Sequence, residues 1–236
     1  MSLKKIAFFV EGYTEQYFLE SLLLEIFAEK NIAIEISKIK GGSSIPIKIS
    51  NIKSSNITDQ TQYFVLIYNC GGDSNVKSYI LERRQDLINA QYSKIVGFRD
   101  IYPNFTRGEI HKLQYGLKQY VPQKDIKIEF ILSIMEIESW FIAEHSHFQK
   151  INQNLTAESV SEFFGYNISH YNTELIDSPA NKLNEIYNTV GEIYDKSTES
   201  IDRTIESLDY GNLYFDVREK INSLNELIES FEEIFN

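Results

Sequence analysis

The sequence predicts an α/β fold with a mainly parallel sheet, and three observations lead to that class. Short apolar runs alternate with segments of helical periodicity, the interiors of those runs are continuously apolar, and polar or acidic residues follow the runs. Strands that are covered on both faces by right-handed crossover helices have this pattern. A chain of 236 residues is long enough to bury a core of that kind.

The first elements form a strand, a tight turn and a helix. Residues 5–10 are a nearly unbroken apolar run that stops at Glu11-Gly12. Thr14 is placed to cap a helix, and Glu15 lies in its positively polarised first turn. The apolar stripe of that helix has spacings of three and four and consists of Tyr17, Phe18, Leu22, Leu23 and Ile26.

The alternation continues along the chain. Further strands are predicted at residues 33–39, 63–68, 94–98 and 126–134, and helices at 75–91 and 109–120. Residues 38–56, rich in Lys, Ser and Ile, favour a loop or a short helix. From about residue 140 the sequence is acidic and helix-periodic, without a convincing strand. It therefore predicts an α/β domain over residues 1–139 and a helical subdomain over residues 140–236 that packs on it.

Composition narrows the class of protein. No stretch approaches the ~18 apolar residues of a membrane span, and the start of the chain has no cleavage site for export. Cys70 is the only cysteine, which excludes an intramolecular disulfide and a cysteine-built zinc site, so we expect a reducing compartment, the cytoplasm. Residues 151–236 carry 5 basic and 17 acidic side chains, net −12, which leaves 18 and 17, net +1, for residues 1–150. Phosphate chemistry is therefore expected in the first part.

Acidic residues follow several of the predicted strands. In an open parallel sheet, ligands bind outside the carboxyl ends of the strands, near the point where strand order reverses. Carboxylates without histidine or cysteine partners favour a hard ion, Mg²⁺ or Mn²⁺, over zinc. The candidates for this site are Glu11, Asp73, Asp100, Glu136 and Glu138.

These residues resemble a known family. Val-Glu-Gly-Tyr-Thr-Glu, residues 10–15, resembles the opening motif of toprim domains, in the branch of the overcoming-lysogenization-defect nucleases and related small bacterial toprim-like proteins. Glu136-Ile-Glu138 is similar to an acidic motif of the small proteins. Ser178-Pro179-Ala-Asn-Lys182-Leu183 and Tyr194-Asp195-Lys196 resemble their C-terminal signatures. The implied fold is a toprim or Rossmann-like sheet flanked by helices.

The resemblance also implies roles for residues. Glu11 would be a metal ligand or base, Asp100 the main metal ligand and Glu15 a further metal carboxylate, while Lys196 would neutralise charge on a phosphoryl oxygen. Two metals about 4 Å apart would then stabilise the attacking and leaving oxygens. One position departs from the family pattern, because Asp100-Ile101-Tyr102 stands where the family has Asp-x-Asp. Asp73, or Glu136 and Glu138, would have to complete the coordination.

The leading hypothesis is thus a Mg²⁺- or Mn²⁺-dependent nuclease that acts on DNA or RNA. The resemblance adds a bacterial phage-defence role and an ATPase partner protein, and a homodimer stays open. The alternative is a catalytically inactive toprim-like scaffold that binds a protein or a nucleotide, which the missing second aspartate favours. A Rossmann-like nucleotide binder ranks last, because the sequence contains neither a Gly-x-Gly-x-x-Gly nor a Walker-type lysine loop.

Overall fold

The computed structural model describes residues 3–42 and 45–235, apart from the side chains of residues 28–30. Its internal contacts group the chain into two units. Unit 1 comprises Met1–Arg99, Gly108–Leu132 and Glu229–Asn236, and unit 2 comprises Asp100–Arg107 and Ser133–Ile228. The chain therefore passes between the units four times, whereas the sequence-based division set a single boundary between residues 139 and 140.

A six-stranded sheet with the order β3-β2-β4-β1-β5-β6 forms the framework of unit 1. β1 pairs in parallel with β4 and β5, β2 pairs in parallel with β4, and β3 runs antiparallel to β2 at one edge. The strands are β1 Lys4–Val10, β2 Ile32–Gly42, β3 Ile45–Lys53, β4 Tyr63–Asn69, β5 Lys94–Asp100 and β6 Lys127–Ser133. The predicted α/β class with a mainly parallel sheet is confirmed.

Helices cover both faces of the central strands. Unit 1 contains α1 Tyr13–Asn31, α2 Asn75–Asn89 and α3 Ile110–Lys118. Phe8 and Phe9 are adjacent in β1 and both are 0% exposed. Because successive side chains of a strand point to opposite faces, this burial requires cover on both sides. Each such phenylalanine stabilises the fold by about 2 to 3 kcal/mol.

Two local expectations were wrong. Residues 38–56, expected as a loop or short helix, belong largely to β2 and β3. Ile45, Ile47 and Ile49 alternate with Pro46 and Lys48, which is the period-two pattern of a strand, although β3 is largely exposed. Thr14 does not cap α1, since the N-cap is Gly12 and Glu15 completes a capping box.

Lys94, at the start of β5, is a fully buried lysine of unit 1. Its side chain is 0% exposed, and Nζ lies 2.6 Å from Glu129 Oε2 and 2.8 Å from Glu233 Oε2. It also donates a hydrogen bond to the Ser230 carbonyl oxygen at 2.8 Å. Burial of an ammonium group is tolerated when charged and polar partners surround it, as they do here.

Unit 2 is helical, as the sequence predicts for most of this region, and its described residues contain no strand between 134 and 228. Its core includes Trp140, which is 0% exposed and donates its indole N–H to Ser223 Oγ at 2.9 Å. The helices that follow β6 are α4 Glu138–Ala143, α5 Phe148–Ile151, α6 Ala157–Phe164, α7 Pro179–Asn188, α8 Thr198–Ser207, α9 Tyr210–Asn212 and α10 Asn222–Phe235. The last of these begins in unit 2 and ends in unit 1.

Among the helices in the described ranges, none combines the length and the apolar character that a membrane-spanning helix needs.

Candidate functional site

The strand order of unit 1 reverses between β1 and β4. The connection after β1 leads to β2 on the far side of β4, and the connection after β4 leads to β5 on the far side of β1. Crossovers that leave in opposite directions create a crevice at the carboxyl ends of the two strands, where open α/β sheets bind ligands. Glu11 follows β1 directly at this crevice.

Backbone hydrogen bonds hold the end of β1 in place. The Glu11 N–H donates to the Phe98 carbonyl oxygen at 3.2 Å, and the Glu11 carbonyl oxygen accepts from Gly72 N–H at 2.8 Å. The loop that reaches Glu11 turns at Gly71 and Gly72, whose φ angles of 66° and 152° suit glycine. The main chain of Glu11 is therefore fixed from two neighbouring strands, and its side chain is only partly buried.

Burial raises the pKa of the Cys70 thiol, and the charge of Glu11 raises it further. The thiolate is the reactive form of cysteine, so this thiol is unreactive at neutral pH. Cys70 directly follows β4 and is buried, which fits a structural role.

Glu15, predicted as a metal carboxylate, has a structural role in α1. Its Oε2 accepts a hydrogen bond from the Gly12 N–H at 2.8 Å, and the residue is 5% exposed. A glutamate at this position satisfies a backbone donor that the helix itself leaves unpaired. The geometry shows the capping role and leaves the metal role a prediction.

Two substitutions separate these roles of Glu15. We expect Glu15→Ala to lower the free energy of unfolding by about 1 kcal/mol, because the Gly12 N–H loses its acceptor. Glu15→Gln keeps an amide oxygen for that donor and should retain most of the stability. Urea denaturation monitored by circular dichroism measures both. A purely structural role requires Glu15→Gln to keep wild-type activity as well, so its loss with intact stability would show a direct role.

Asp73, predicted as a substitute ligand, forms a partly buried ion pair with Arg99. Arg99 Nη2 lies 2.5 Å from Asp73 Oδ2, and the Ser74 N–H donates to Oδ1 at 2.6 Å. Arg99 is 4% exposed, and its Nη1 also donates to the Asp73 carbonyl oxygen at 3.2 Å. Both carboxylate oxygens thus have a donor already, and the charge of Asp73 is neutralised by arginine.

The remaining predicted acids lie in unit 2. Asp100, Glu136 and Glu138 are 6%, 8% and 0% exposed. Asp100 Oδ1 accepts hydrogen bonds from the Ser133 hydroxyl and, at 3.1 Å, from the Ile137 N–H. These bonds fix Asp100 against the segment that carries the two glutamates.

Lys196 connects the two glutamates. Its Nζ lies 2.9 Å from Glu136 Oε1 and 3.1 Å from Glu138 Oε1. Tyr194 donates its hydroxyl to Glu138 Oε1 at 2.8 Å, and the Ala180 N–H donates to Glu136 Oε2 at 3.0 Å. The structure therefore brings both C-terminal signatures to the acidic motif within one unit. We call Asp100, Glu136, Glu138, Tyr194 and Lys196 the acid–lysine cluster.

Burial and neighbouring charges act in opposite directions on the pKa values of Glu138 and Lys196. Burial raises the pKa of Glu138, while the charge of Lys196 opposes that rise. Burial alone would lower the pKa of Lys196, but the charges of Glu138, Glu136 and Asp100 outweigh burial and raise it, so the ammonium stays protonated. Glu138 Oε2 is buried and has no hydrogen-bond partner in the structure. A buried carboxylate oxygen without a partner carries a large desolvation cost.

Backbone strain accompanies the cluster. Met135 and Lys196 have φ angles of 66° and 59°, in the left-handed region that non-glycine residues seldom adopt. Each such residue costs of order 1–3 kcal/mol when the surroundings enforce it, and strain of this kind concentrates at functional sites. Both residues lie beside the acids of the cluster in sequence or contact.

The arrangement offers few preassembled metal ligands. Among the described residues, no group of three or more His, Cys, Asp or Glu side chains is arranged to hold a metal ion. Magnesium, however, often uses one or two carboxylates and takes its other ligands from water and substrate phosphate. Tyr102, at the position of the missing second aspartate, is 39% exposed and supplies no carboxylate.

Sequence reasoning missed several partners of the predicted residues. Ser133, Arg99 and the Ala180 N–H contact Asp100, Asp73 and Glu136 respectively. Tyr194 belongs to the Tyr-Asp-Lys signature, in which the sequence resemblance implied a role for Lys196 alone. The Tyr-Asp-Lys spacing was the one signal in the sequence for the role of Tyr194. Tyr194 and Lys196 are two residues apart and contact the same glutamate, Glu138.

Comparisons with known proteins identify no family for this chain. No protein-family model matches the chain, and no curated protein sequence is significantly similar to it. A hypothetical protein of Pyrococcus horikoshii has a TM-score of 0.42 and 11% identity, over 99% of this chain and 96% of its own. A Lactobacillus plantarum protein, assigned by inference as a cell surface hydrolase, has a TM-score of 0.35 and 12% identity, over 62% of this chain. A gene product of Listeria innocua has a TM-score of 0.32 and 11% identity, over 56% of this chain.

The last two matches span only 58% and 51% of the Lactobacillus and Listeria chains. TM-scores and identities this low give no information on the activity or the ligands of this chain.

Proposed function

We propose that this chain is a toprim-like nuclease that hydrolyses phosphodiester bonds of DNA or RNA with Mg²⁺ or Mn²⁺. The single observation that carries the proposal is the orphaned Oε2 of Glu138 inside the acid–lysine cluster. A buried carboxylate that lacks a donor at one oxygen is suited to a hard cation, since such ions prefer oxygen ligands. The sequence resemblance to toprim proteins supports the same reaction.

The residues of the cluster fit such an ion. Glu138 would hold it through Oε2, with Asp100 as the further carboxylate, and one or two carboxylates are enough for magnesium. When bound, the metal supplies Lewis-acid polarisation of a phosphoryl oxygen and lowers the pKa of a water. Tyr194 holds the other oxygen of Glu138, which keeps Oε2 oriented.

Lys196 provides positive charge that does not depend on the metal. Its raised pKa keeps the ammonium protonated, so it can neutralise charge that develops on a phosphoryl oxygen. Glu136, held by the Ala180 N–H, positions the ammonium. The resemblance implies for Glu11 a role as metal ligand or base. A defence role and an ATPase partner rest on the resemblance alone.

A cleavage assay tests the proposed function. Purified protein is incubated with end-labelled single-stranded DNA, duplex DNA and RNA in Mn²⁺, in Mg²⁺ and in EDTA. We expect cutting of at least one substrate with either metal and none in EDTA, because the reaction needs the cation. The matched control is the Lys196→Met variant, which is purified in parallel and should cut more slowly at equal metal concentration. Metal-independent cutting, or none on any substrate, would contradict the proposal.

A catalytically inactive toprim-like scaffold is the second candidate. It is favoured by the ion pairs that already occupy the acids, with Lys196 on Glu136 and Glu138 and Arg99 on Asp73. Isothermal titration with Mn²⁺ separates the two candidates. The nuclease requires binding at or below millimolar concentration, whereas the scaffold predicts no heat of binding there and a protein or nucleotide ligand instead.

A further inference from the structure

The β2–β3 hairpin of unit 1 has a face of unpaired lysines. Lys40 lies directly opposite Lys48, and Lys38 lies opposite Ser50. Directly opposite residues of antiparallel strands point to the same face, and so do residues two apart along one strand. Lys38, Lys40, Lys48 and Ser50 therefore share one face, which we call the lysine face. Lys40 and Lys48 are exposed, and Lys38 is partly exposed.

Among the described residues of the hairpin, no carboxylate faces these charges. No hydrogen bond or ion pair joins the side chains of the three lysines to any residue in the ranges 3–42 and 45–235, the side chains of residues 28–30 excluded. Glu35, the hairpin's carboxylate, is an odd number of residues from Lys38 and so points to the opposite face, where it accepts a hydrogen bond from Asn51 at 3.3 Å. Like charges directly across a strand pair destabilise it. The pair Lys40 and Lys48 thus carries a local stability cost.

The lysine face lies at the same edge of the sheet as Glu11. Lys38 is in register with Asn69 on β4, and Asn69 is in register with Val10 on β1. Lys40 and Glu11 therefore both lie past these paired residues, towards the carboxyl ends of their strands. Two strand spacings separate β2 from β1, a distance of about 10 Å. A cleft of about 380 Å³ lies beside Lys38 and Lys40, is also lined by Gly71 and Asn75, and has no carboxylate in its lining.

Charge identifies the kind of partner. Residues 32–58 contain four lysines and one glutamate, a net charge of +3, in a chain whose net charge is −11. Lys38 and Lys40 are ~6.6 Å apart along β2, and Lys48 is ~5 Å across from Lys40. Three cations this close repel each other unless an anion with several charged groups bridges them. A sugar–phosphate backbone offers such groups in a row.

We propose that the lysine face and the adjoining cleft bind the phosphate backbone of a nucleic acid strand. The face belongs to unit 1 and shares no residue with the acid–lysine cluster, so we assign it a role in binding and not in bond cleavage. The binding itself requires no metal and no hydrolysis. The inference rests on the proposed function only for the cleavage of the strand after it is bound.

The test is binding without catalysis. Affinity for a labelled single-stranded oligonucleotide is measured by fluorescence anisotropy in EDTA over a series of salt concentrations, for wild type and for a triple variant Lys38→Ala, Lys40→Ala, Lys48→Ala. The matched control is Lys112→Ala, Lys118→Ala, Lys124→Ala, which removes the same charge from exposed positions elsewhere in unit 1. Polyglutamate of equal charge is the competitor that represents an acidic protein.

We expect the triple variant to bind about 10- to 100-fold more weakly at low salt, with a slope of log K against log salt that is smaller by about 2. The control should bind as wild type does. The melting temperature of the triple variant should stay equal or rise, because the opposed lysines are gone.

Three results would overturn the inference: no binding by wild type, equal weakening in the control, or competition by polyglutamate as strong as by unlabelled oligonucleotide. Lysine-dependent binding without any metal-dependent cutting would uphold the inference and reject the proposed function. Cutting with no dependence of binding on these lysines would do the reverse.

Discussion

Asp100→Asn is expected to reduce metal-dependent cutting by about 1000-fold, since a carboxylate that holds the ion contributes several kcal/mol to the barrier. The substitution should leave the fold intact for a structural reason. Ser133 and Ile137 both donate to Oδ1 of Asp100, and an asparagine keeps an oxygen for both donors. Only the charge and the second oxygen change. Initial rates of cleavage in Mn²⁺, with circular dichroism of the same samples, measure the effect.

Glu11→Gln should give a loss of the same order by the role that the resemblance implies. The controls are Asp216→Asn for Asp100 and Glu82→Gln for Glu11, both at exposed positions of the same unit as the residue they match. Wild-type rates in both Asp100→Asn and Glu11→Gln would reject the nuclease assignment. Loss in only one of them would leave the other residue without a catalytic role.

The second large effect concerns the stability of unit 1. The double variant Glu129→Gln, Glu233→Gln should lower the free energy of unfolding by about 3 kcal/mol, because it leaves the Lys94 ammonium buried without a counter-charge. Adding Lys94→Met should recover most of that loss, since an apolar side chain of similar volume needs no partner. Urea denaturation of the three proteins measures both changes. An undiminished stability in the double variant would show that Lys94 is hydrated in solution.

The same ion pairs predict a pH dependence. Hydrogen bonds from Lys127 and Lys94 lower the pKa of Glu233 from 4.5 to about 2. A carboxyl whose folded pKa is depressed stabilises the fold above its unfolded pKa and loses that contribution as the pH falls through the folded value. The difference between wild type and the double variant should therefore be full above pH 4.5 and shrink between pH 4.5 and pH 2.

The sequence predicted the parallel strands well, because their apolar interiors are long and their ends carry turn residues. It missed β3 because that strand lies at the edge, where exposed Ile45 and Ile52 sit among polar residues and look like a loop. It also chose Thr14 as the helix cap, since a hydroxyl residue is the usual signal, whereas a glycine N–H paired with Glu15 fills that role.

Prediction of the candidate site was limited by tertiary pairing. The acids could be found because they follow strands or belong to sequence motifs that resemble those of toprim-like proteins. Their counter-charges could not, because the ion pairs of Arg99 with Asp73 and Lys196 with Glu136 join residues 26 and 60 positions apart. Such pairs depend on register and on helix packing, which a single sequence does not specify. The missed ion pairs matter, since they decide which acids keep an oxygen for a ligand.

The buried lysine at the start of β5 also has a consequence for biosynthesis. During translation, Lys94 is synthesised more than a hundred residues before Glu233, its partner on α10. Until that helix emerges, the ammonium has to stay hydrated, and the last strands of unit 1 remain open at that position. Unit 1 therefore cannot be completed until α10 has been synthesised, although most of its strands are made much earlier.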